Sequence, residues 1–182
     1  MEFEPISIPG AFLIRPKAFD DERGSFVKVL HLPTFESHGI DFRTAESFYS
    51  TSKRGAIRGM HFQVPPAAHQ KLVYCTAGRV LDVLVDLRKG SPATGHSYTA
   101  ELSADNRQML YVPMGVAHGF LTLEDDSTLV YSVTTAHAPA YDRGIRWDSF
   151  GFDWPVANPL ISERDRSFPA LGAFESPFVF QP

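Results

Sequence analysis

From Gly55 to Lys71 the chain reads GAIRGMHFQVPPAAHQK, two alternating segments joined through Pro65 and Pro66. Proline lacks an N–H and fixes φ, so the pair forces a turn and the flanks read as short strands. On a strand successive side chains point to opposite faces. Ile57, Gly59, His61 and Gln63 are therefore expected on one face, and Arg58, Met60 and Phe62 on the other. A glycine beside His61 on its face predicts open space over the imidazole. Arg58, His61 and Lys71 in one segment suit an anionic ligand and proton transfer. Taken alone, His61 reads more simply as a histidine completing a hydrogen bond in the core.

Outward from this stretch the strand signal repeats. Lys71 to Leu87 reads as two strands around Thr76-Ala77-Gly78-Arg79, a hairpin turn by its composition. On the second strand Leu81, Val83, Val85 and Leu87 face one way, and Val80, Asp82, Leu84 and Asp86 the other. Acids alternating with apolar residues fit a lined cavity, a pairing with arginine or a solvated face. His118 again lies beside a glycine, Gly119. On Ser127 to Thr135, Leu129, Tyr131 and Val133 share a face, which points Tyr131 inward, where a buried tyrosine ordinarily finds a hydrogen-bond partner. Toward the N-terminus an acidic turn carries Arg23 at its tip before the strand FVKVL, and Thr34 to Gly39 reads as a short helix closed by Gly39. Past Pro139 the chain is irregular. Short strands at regular spacing imply one domain over residues 1–182, a compact antiparallel barrel or jelly roll.

Composition bounds the function. With 182 residues, 43% of them hydrophobic and 21% charged, the chain can bury one sizeable core. A net charge of -4 argues against a general nucleic-acid partner. The single cysteine, Cys75, allows no internal disulfide and reads as a small core residue in a reducing compartment. The opening MEFEPISIPG is acidic and too short of apolar length for a signal peptide or membrane span, so a cytoplasmic protein with no membrane partner is expected.

Several pieces, in order, resemble the dTDP-4-dehydrorhamnose 3,5-epimerase family: Asp21-x-Arg23-Gly24-x-Phe26, Arg58-Gly59-Met60-His61-Phe62-Gln63, Gln70-Lys71-Leu72-Val73 and Asp82-Val83-x-Val85-Asp86-x-Arg88. Ala117-His118-Gly119-Phe120, Tyr131, Arg143-Gly144-Ile145, Trp154-Pro155 and Ser162-x-Arg164-Asp165 complete the match over nearly the whole chain. The resemblance implies an all-β cupin-type jelly roll with short flanking helices, a homodimer, no metal and no cofactor. It implies a nucleotide-diphosphate 4-keto-6-deoxy sugar as substrate, inverted at carbon 3, carbon 5 or both through an enolate. It makes His61 the base with Asp165 behind it, Tyr131 the acid on the opposite face, and Lys71 the charge near the keto oxygen. Arg58 would take the diphosphate, with His118, Gln63, Asp142 and Arg164 lining the ligand. Arg23 and Phe26 would reach the nucleotide, Arg23 from the partner subunit. Metal-binding cupins usually place two histidines one residue apart; here Phe62 and Gln63 follow His61, so a metal is not expected.

The chain departs from the family around the nucleotide base. Lys28 stands where the family usually has glutamate, Glu46-Ser47-Phe48 where it has Gln-x-Asn, and His137 where a tyrosine stacks on thymine. Thymine's ring N–H suits a glutamate and not a lysine; Lys28 suits a base presenting an acceptor, and Glu46 the donor edge of guanine. Lys28 also reads as a solvated side chain. These departures predict retained catalysis with an altered nucleotide or sugar. The competing readings are a 3,4-ketoisomerase on a related scaffold and a cupin that binds sugar nucleotides without turning them over.

Overall fold

The computed structural model describes residues 1–181, and its regular structure is mostly antiparallel strands. In chain order these are β1 (Glu2–Pro5), β2 (Phe12–Arg15), β3 (Lys17–Asp21), β4 (Gly24–Lys28), β5 (Glu46–Ser52), β6 (Ile57–Gln63) and β7 (Lys71–Ala77). They continue as β8 (Arg79–Asp86), β9 (Ser97–Ser103), β10 (Met109–Val112), β11 (Val116–Thr122), β12 (Ser127–Val133) and β13 (Asp142–Gly144). Two short helices, α1 (Leu32–Ser37) and α2 (Glu163–Arg166), flank them. Gly39 follows α1 in the left-handed region, at φ 76°, as a glycine after a helix end does. No helix among the described residues is long and apolar enough to cross a membrane.

Six strands form one sheet in the order β1-β2-β10-β7-β12-β5, and five form a second, β13-β6-β11-β8-β9. The hairpin β3–β4 stands apart. The two sheets meet face to face: Val73, Cys75 and Leu129 of the first pack against Val80, Leu84 and Phe120 of the second. This is the expected jelly-roll arrangement. Each fully buried aliphatic side chain there stabilises the fold by about 1.5–3 kcal/mol. The outer face of the five-stranded sheet is covered as well, Met60, Phe62, Val83 and Val85 packing under Ile145, Trp154 and Phe178. On the outer face of the six-stranded sheet, Phe35 and Phe42 cover Ile14, Leu72 and Met109. Strands apolar on both faces therefore follow from α1 and the segment after it covering one sheet and the segment beyond β13 the other.

Three expectations are corrected. The turn at Gly78 is no hairpin: β7 lies in the six-stranded sheet and β8 in the five-stranded one. The chain turns a corner there, with Gly78 at φ 68° pressed against Ser127. The alternation along β6 is also broken. His61 pairs with His118 and Arg58 with Phe120, so three steps on β6 oppose two on β11. This bulge inserts one residue and reverses the parity. Arg58 joins His61 and Gln63 in lining the cavity, while Ile57, Met60 and Phe62 pack in the outer core. Nor is space left open beside His61. A Cβ on Gly59 would lie 2.7 Å from the Gly119 Cα, because the two glycine backbones are in contact at the bulge.

Candidate active site

Between the sheets opens a cavity of about 280 Å³ whose walls include His61, Lys71, His118 and Tyr131. His61 and His118 come from paired strands of the five-stranded sheet, Tyr131 and Lys71 from paired strands of the other.

His61 is held from behind by α2. Ser162 caps that helix, accepting from the Asp165 N–H at 3.1 Å, which directs the Asp165 side chain inward. Asp165 Oδ1 then accepts from His61 Nε2 at 2.8 Å and Oδ2 from the Gly59 N–H at 3.2 Å. Burial alone would raise the Asp165 carboxyl, but the hydrogen bonds from His61 and Gly59 outweigh it and hold the group below its ordinary value. With Nε2 carrying the proton, Nδ1 is the basic atom of His61. Burial pulls the imidazole below its ordinary value of 6.5, against the pull of Asp165. The His61 side chain is 29% exposed through the cavity while Asp165 is only 6% exposed, so the histidine is the member a ligand meets.

His118 repeats this arrangement. Its Nε2 lies 2.8 Å from Asp82 Oδ2, and the pair is buried, His118 at 3% and Asp82 at 0% exposed. Burial raises the Asp82 carboxyl, and the charge and hydrogen bond of His118 oppose that rise. The alternating acid Asp82 on β8 is thus buried behind a cavity histidine, while Asp86, on the same face, is the arginine partner, bound by Arg88 at 2.7 and 2.8 Å. Lys71, 8% exposed, donates to the His61 carbonyl at 3.0 Å. Burial lowers its ammonium to about 8, with Asp142 and Asp82 holding it up against that. Tyr131 is pushed upward, chiefly by burial. Its hydroxyl meets Ser50 Oγ at 3.2 Å, and its ring stacks on Phe48 with centroids 4.8 Å apart.

At the mouth Arg58 donates to Ser52 Oγ at 2.9 Å, and Arg164 donates to Asp142 Oδ2 at 2.6 Å. Phe48, Gln63, His137, Asp142 and Arg164 all line the cavity. Gln63 is spent on the loop beyond β12, its Oε1 accepting from the Ala138 N–H at 2.6 Å. Glu46 is spent likewise: Oε2 accepts from the His137 N–H at 2.6 Å, which fixes that loop over β5. Arg23, Phe26 and Lys28 are not brought to this cavity. They lie on the β3–β4 hairpin, where Arg23 is exposed and paired with Asp21 at 2.6 Å. Among the described residues no three His, Cys, Asp or Glu side chains gather as a metal site.

The sequence reading overlooked Ser50, Ser52 and His69. His69 lines the cavity with Nδ1 3.0 Å from Gln63 Nε2, and burial drives its imidazole down to about 3. For the serines the signal was parity: Glu46, Phe48, Ser50 and Ser52 alternate along β5, one face of an edge strand.

The dTDP-4-dehydrorhamnose 3,5-epimerase family model matches residues 5–173. A dTDP-4-dehydrorhamnose 3,5-epimerase from Sinorhizobium fredii is 42% identical, the match covering 100% of this chain and 94% of the relative. Among solved structures, a dTDP-6-deoxy-D-glucose-3,5-epimerase from Legionella pneumophila, in complex with dTDP-4-keto-L-rhamnose, superimposes with a TM-score of 0.94 at 30% identity, covering 100% of this chain and 99% of that one. A 3'-monoepimerase from Streptomyces bikiniensis, in complex with dTDP-quinovose, gives 0.87 at 35% identity, covering 92% and 87%. With base and acid candidates on facing sheets and these likenesses over its whole length, the chain belongs to the dTDP-4-dehydrorhamnose 3,5-epimerase family and is a sugar-nucleotide epimerase.

Proposed function

We propose that this enzyme inverts the carbons flanking the ketone of a nucleoside-diphosphate 4-keto-6-deoxy sugar, with His61 as base and Tyr131 as acid. The observation that carries this reading is the origin of the two groups. His61 and Tyr131 line one cavity from different, facing sheets, as removal and return of a proton on opposite faces of a sugar ring require.

His61 Nδ1 takes the proton next to the carbonyl, and the C–H electron pair becomes the C=C bond of an enolate. Asp165 stabilises the imidazolium that forms. The Lys71 ammonium sits against the enolate oxygen, where a preformed charge in a buried site acts strongly. The O–H bond of Tyr131 breaks as its proton joins the carbon from the other face, and the carbonyl is restored. Arg58 and Arg164 hold the diphosphate, since a guanidinium grips phosphate in a fork. His118 lies against the sugar, kept in one orientation by Asp82. The reaction uses no cofactor.

The enzyme works as a homodimer in which the partner subunit's Arg23 enters the cavity. Support comes from exposed aromatic rings: Phe19 and Phe26 on the β3–β4 hairpin are 50% and 62% exposed, and Phe48 on the edge strand β5 is 45% exposed. Lys28 rides on the same hairpin and bears on the choice of base.

Proton NMR in deuterated water, on dTDP-, CDP-, GDP- and UDP-linked 4-keto-6-deoxy sugars, tests the reading. Loss of signal at carbon 3, carbon 5 or both, abolished in His61→Ala, is expected. Tyr131→Phe should retain exchange but lose inversion. No exchange with any of the four would leave a sugar-nucleotide-binding cupin as the better account.

A further inference from the structure

We propose that Ser50 is a positioning residue for Tyr131 and supplies the proton that restores its phenol after each turnover. This rests on the assignment of Tyr131 as the acid.

Tyr131 is held on three sides. Phe48 stacks on its ring at 17° between planes, His118 meets it edge-on at a centroid distance of 5.9 Å, and Ser50 Oγ lies 3.2 Å from its hydroxyl. Among the described residues Ser50 is the hydroxyl's hydrogen-bond partner. The cross-strand register explains this. Tyr131 sits opposite Phe48 and Leu129 opposite Ser50, so Ser50 is the diagonal neighbour toward which the phenol leans. Ser50 is itself half-buried and lines the cavity from the edge strand β5.

A buried tyrosine that gives up its proton becomes a phenolate in a setting that raises the cost of that charge. Burial is the main influence on this phenol, and the Ser50 hydrogen bond is the first that opposes it. A hydroxyl is both donor and acceptor, so Ser50 serves each half of the cycle. Before protonation it accepts from Tyr131 and fixes the phenol's aim. Afterwards its O–H bond breaks as the proton passes to the phenolate oxygen, and a water at the cavity mouth returns one proton to Ser50 and is left as hydroxide. That hydroxide is neutralised by the proton His61 took from the substrate and releases to solvent. The net change is one carbon inverted, with no proton gained or lost.

The test compares Ser50→Ala and Ser50→Thr with the unsubstituted enzyme, measuring kcat, KM, carbon-bound deuterium exchange and the thermal midpoint. Ser50→Ala should lower kcat for inversion on the order of 10-fold, a fraction of the full worth of an acid group. KM should stay within about twofold and His61-dependent exchange should persist, since binding and deprotonation do not use Ser50. Ser50→Thr, which keeps the hydroxyl and suits a strand, should restore kcat. An unchanged kcat in Ser50→Ala, a change confined to KM, or a loss that threonine does not restore would each overturn the proposal. Tyr131→Phe, run alongside, separates the two readings: if it inverts substrate normally, the acid is misassigned whatever Ser50 does.

Discussion

His61 and His118 are directly paired across β6 and β11, and each imidazole carries an aspartate on Nε2, Asp165 and Asp82 respectively, both at 2.8 Å. The two pairs differ in exposure. Both histidines line the cavity, but His61 is 29% exposed and His118 only 3%. The proposed mechanism assigns chemistry to the first pair and orientation to the second.

Replacing Asp165 with asparagine removes the charge that stabilises an imidazolium at His61. Turnover should fall about 10²-fold or more, the scale of a general base's contribution. Steady-state NMR of epimer formation reads the loss. Burial already holds His61 below 6.5, so the acid limb of kcat/KM should lie below that value and move lower still in Asp165→Asn.

Lys71 should impose the alkaline limb. Burial lowers its ammonium to about 8, and with the proton goes the charge proposed to face the enolate, so kcat/KM should fall as pH rises through that value. Lys71→Arg keeps its charge over the whole range and should lack that limb, even at reduced turnover. For stability the sign is opposite. Between about 8 and 10.5 the folded state binds fewer protons at Lys71 than the unfolded state, so the contribution of this group improves with rising pH. Urea titrations at pH 8 and 10, in the unsubstituted enzyme and Lys71→Met, measure the difference.

Breaking the buried pair should cost stability before it costs chemistry. His118→Ala leaves Asp82 wholly buried without its partner, a loss of about 3–5 kcal/mol for a buried charge stranded in this way. The double variant His118→Leu/Asp82→Leu removes both groups and should recover much of that stability while remaining a poor enzyme. Chemical denaturation of the three proteins decides this.

Gly119→Ala should damage both stability and ligand binding. Its Cβ would sit 2.8 Å from the Arg58 carbonyl and 2.9 Å from the Gly59 Cα, so backbone must move. Overpacking of this kind costs about 1–3 kcal/mol. Because the bulge aims Arg58, KM for the nucleotide sugar should rise as well.

Neither Arg23→Ala nor His61→Ala should turn over substrate efficiently alone. If the partner subunit's Arg23 completes each site, refolding the two variants together produces hybrid dimers with one intact site. Activity in the mixture, absent from each protein separately, is the expected result; none would count against the shared site.

Period-two burial is local, so most central strands were legible in the sequence, and Leu129, Tyr131 and Val133 do face inward together; β1, β3 and β13 were not, Phe19 to Asp21 reading as part of an acidic turn. The sequence also carried the family motifs, and so His61, Lys71 and Tyr131, which the fold brings to one cavity. Sheet packing parted β7 and β8 into different sheets, which no local signal foretells, since a glycine turn reads alike at a hairpin and at a corner. Packing also decided that Arg58 joins His61, because a bulge depends on the partner strand, and Gly119 approaches from 60 residues away on β11. Pairings such as His61 with Asp165, separated by 104 positions, and Tyr131 with Ser50, separated by 81, leave no periodic trace in a chain. Alternation tells a side chain which way to face, and the packing of two sheets tells it what it will meet.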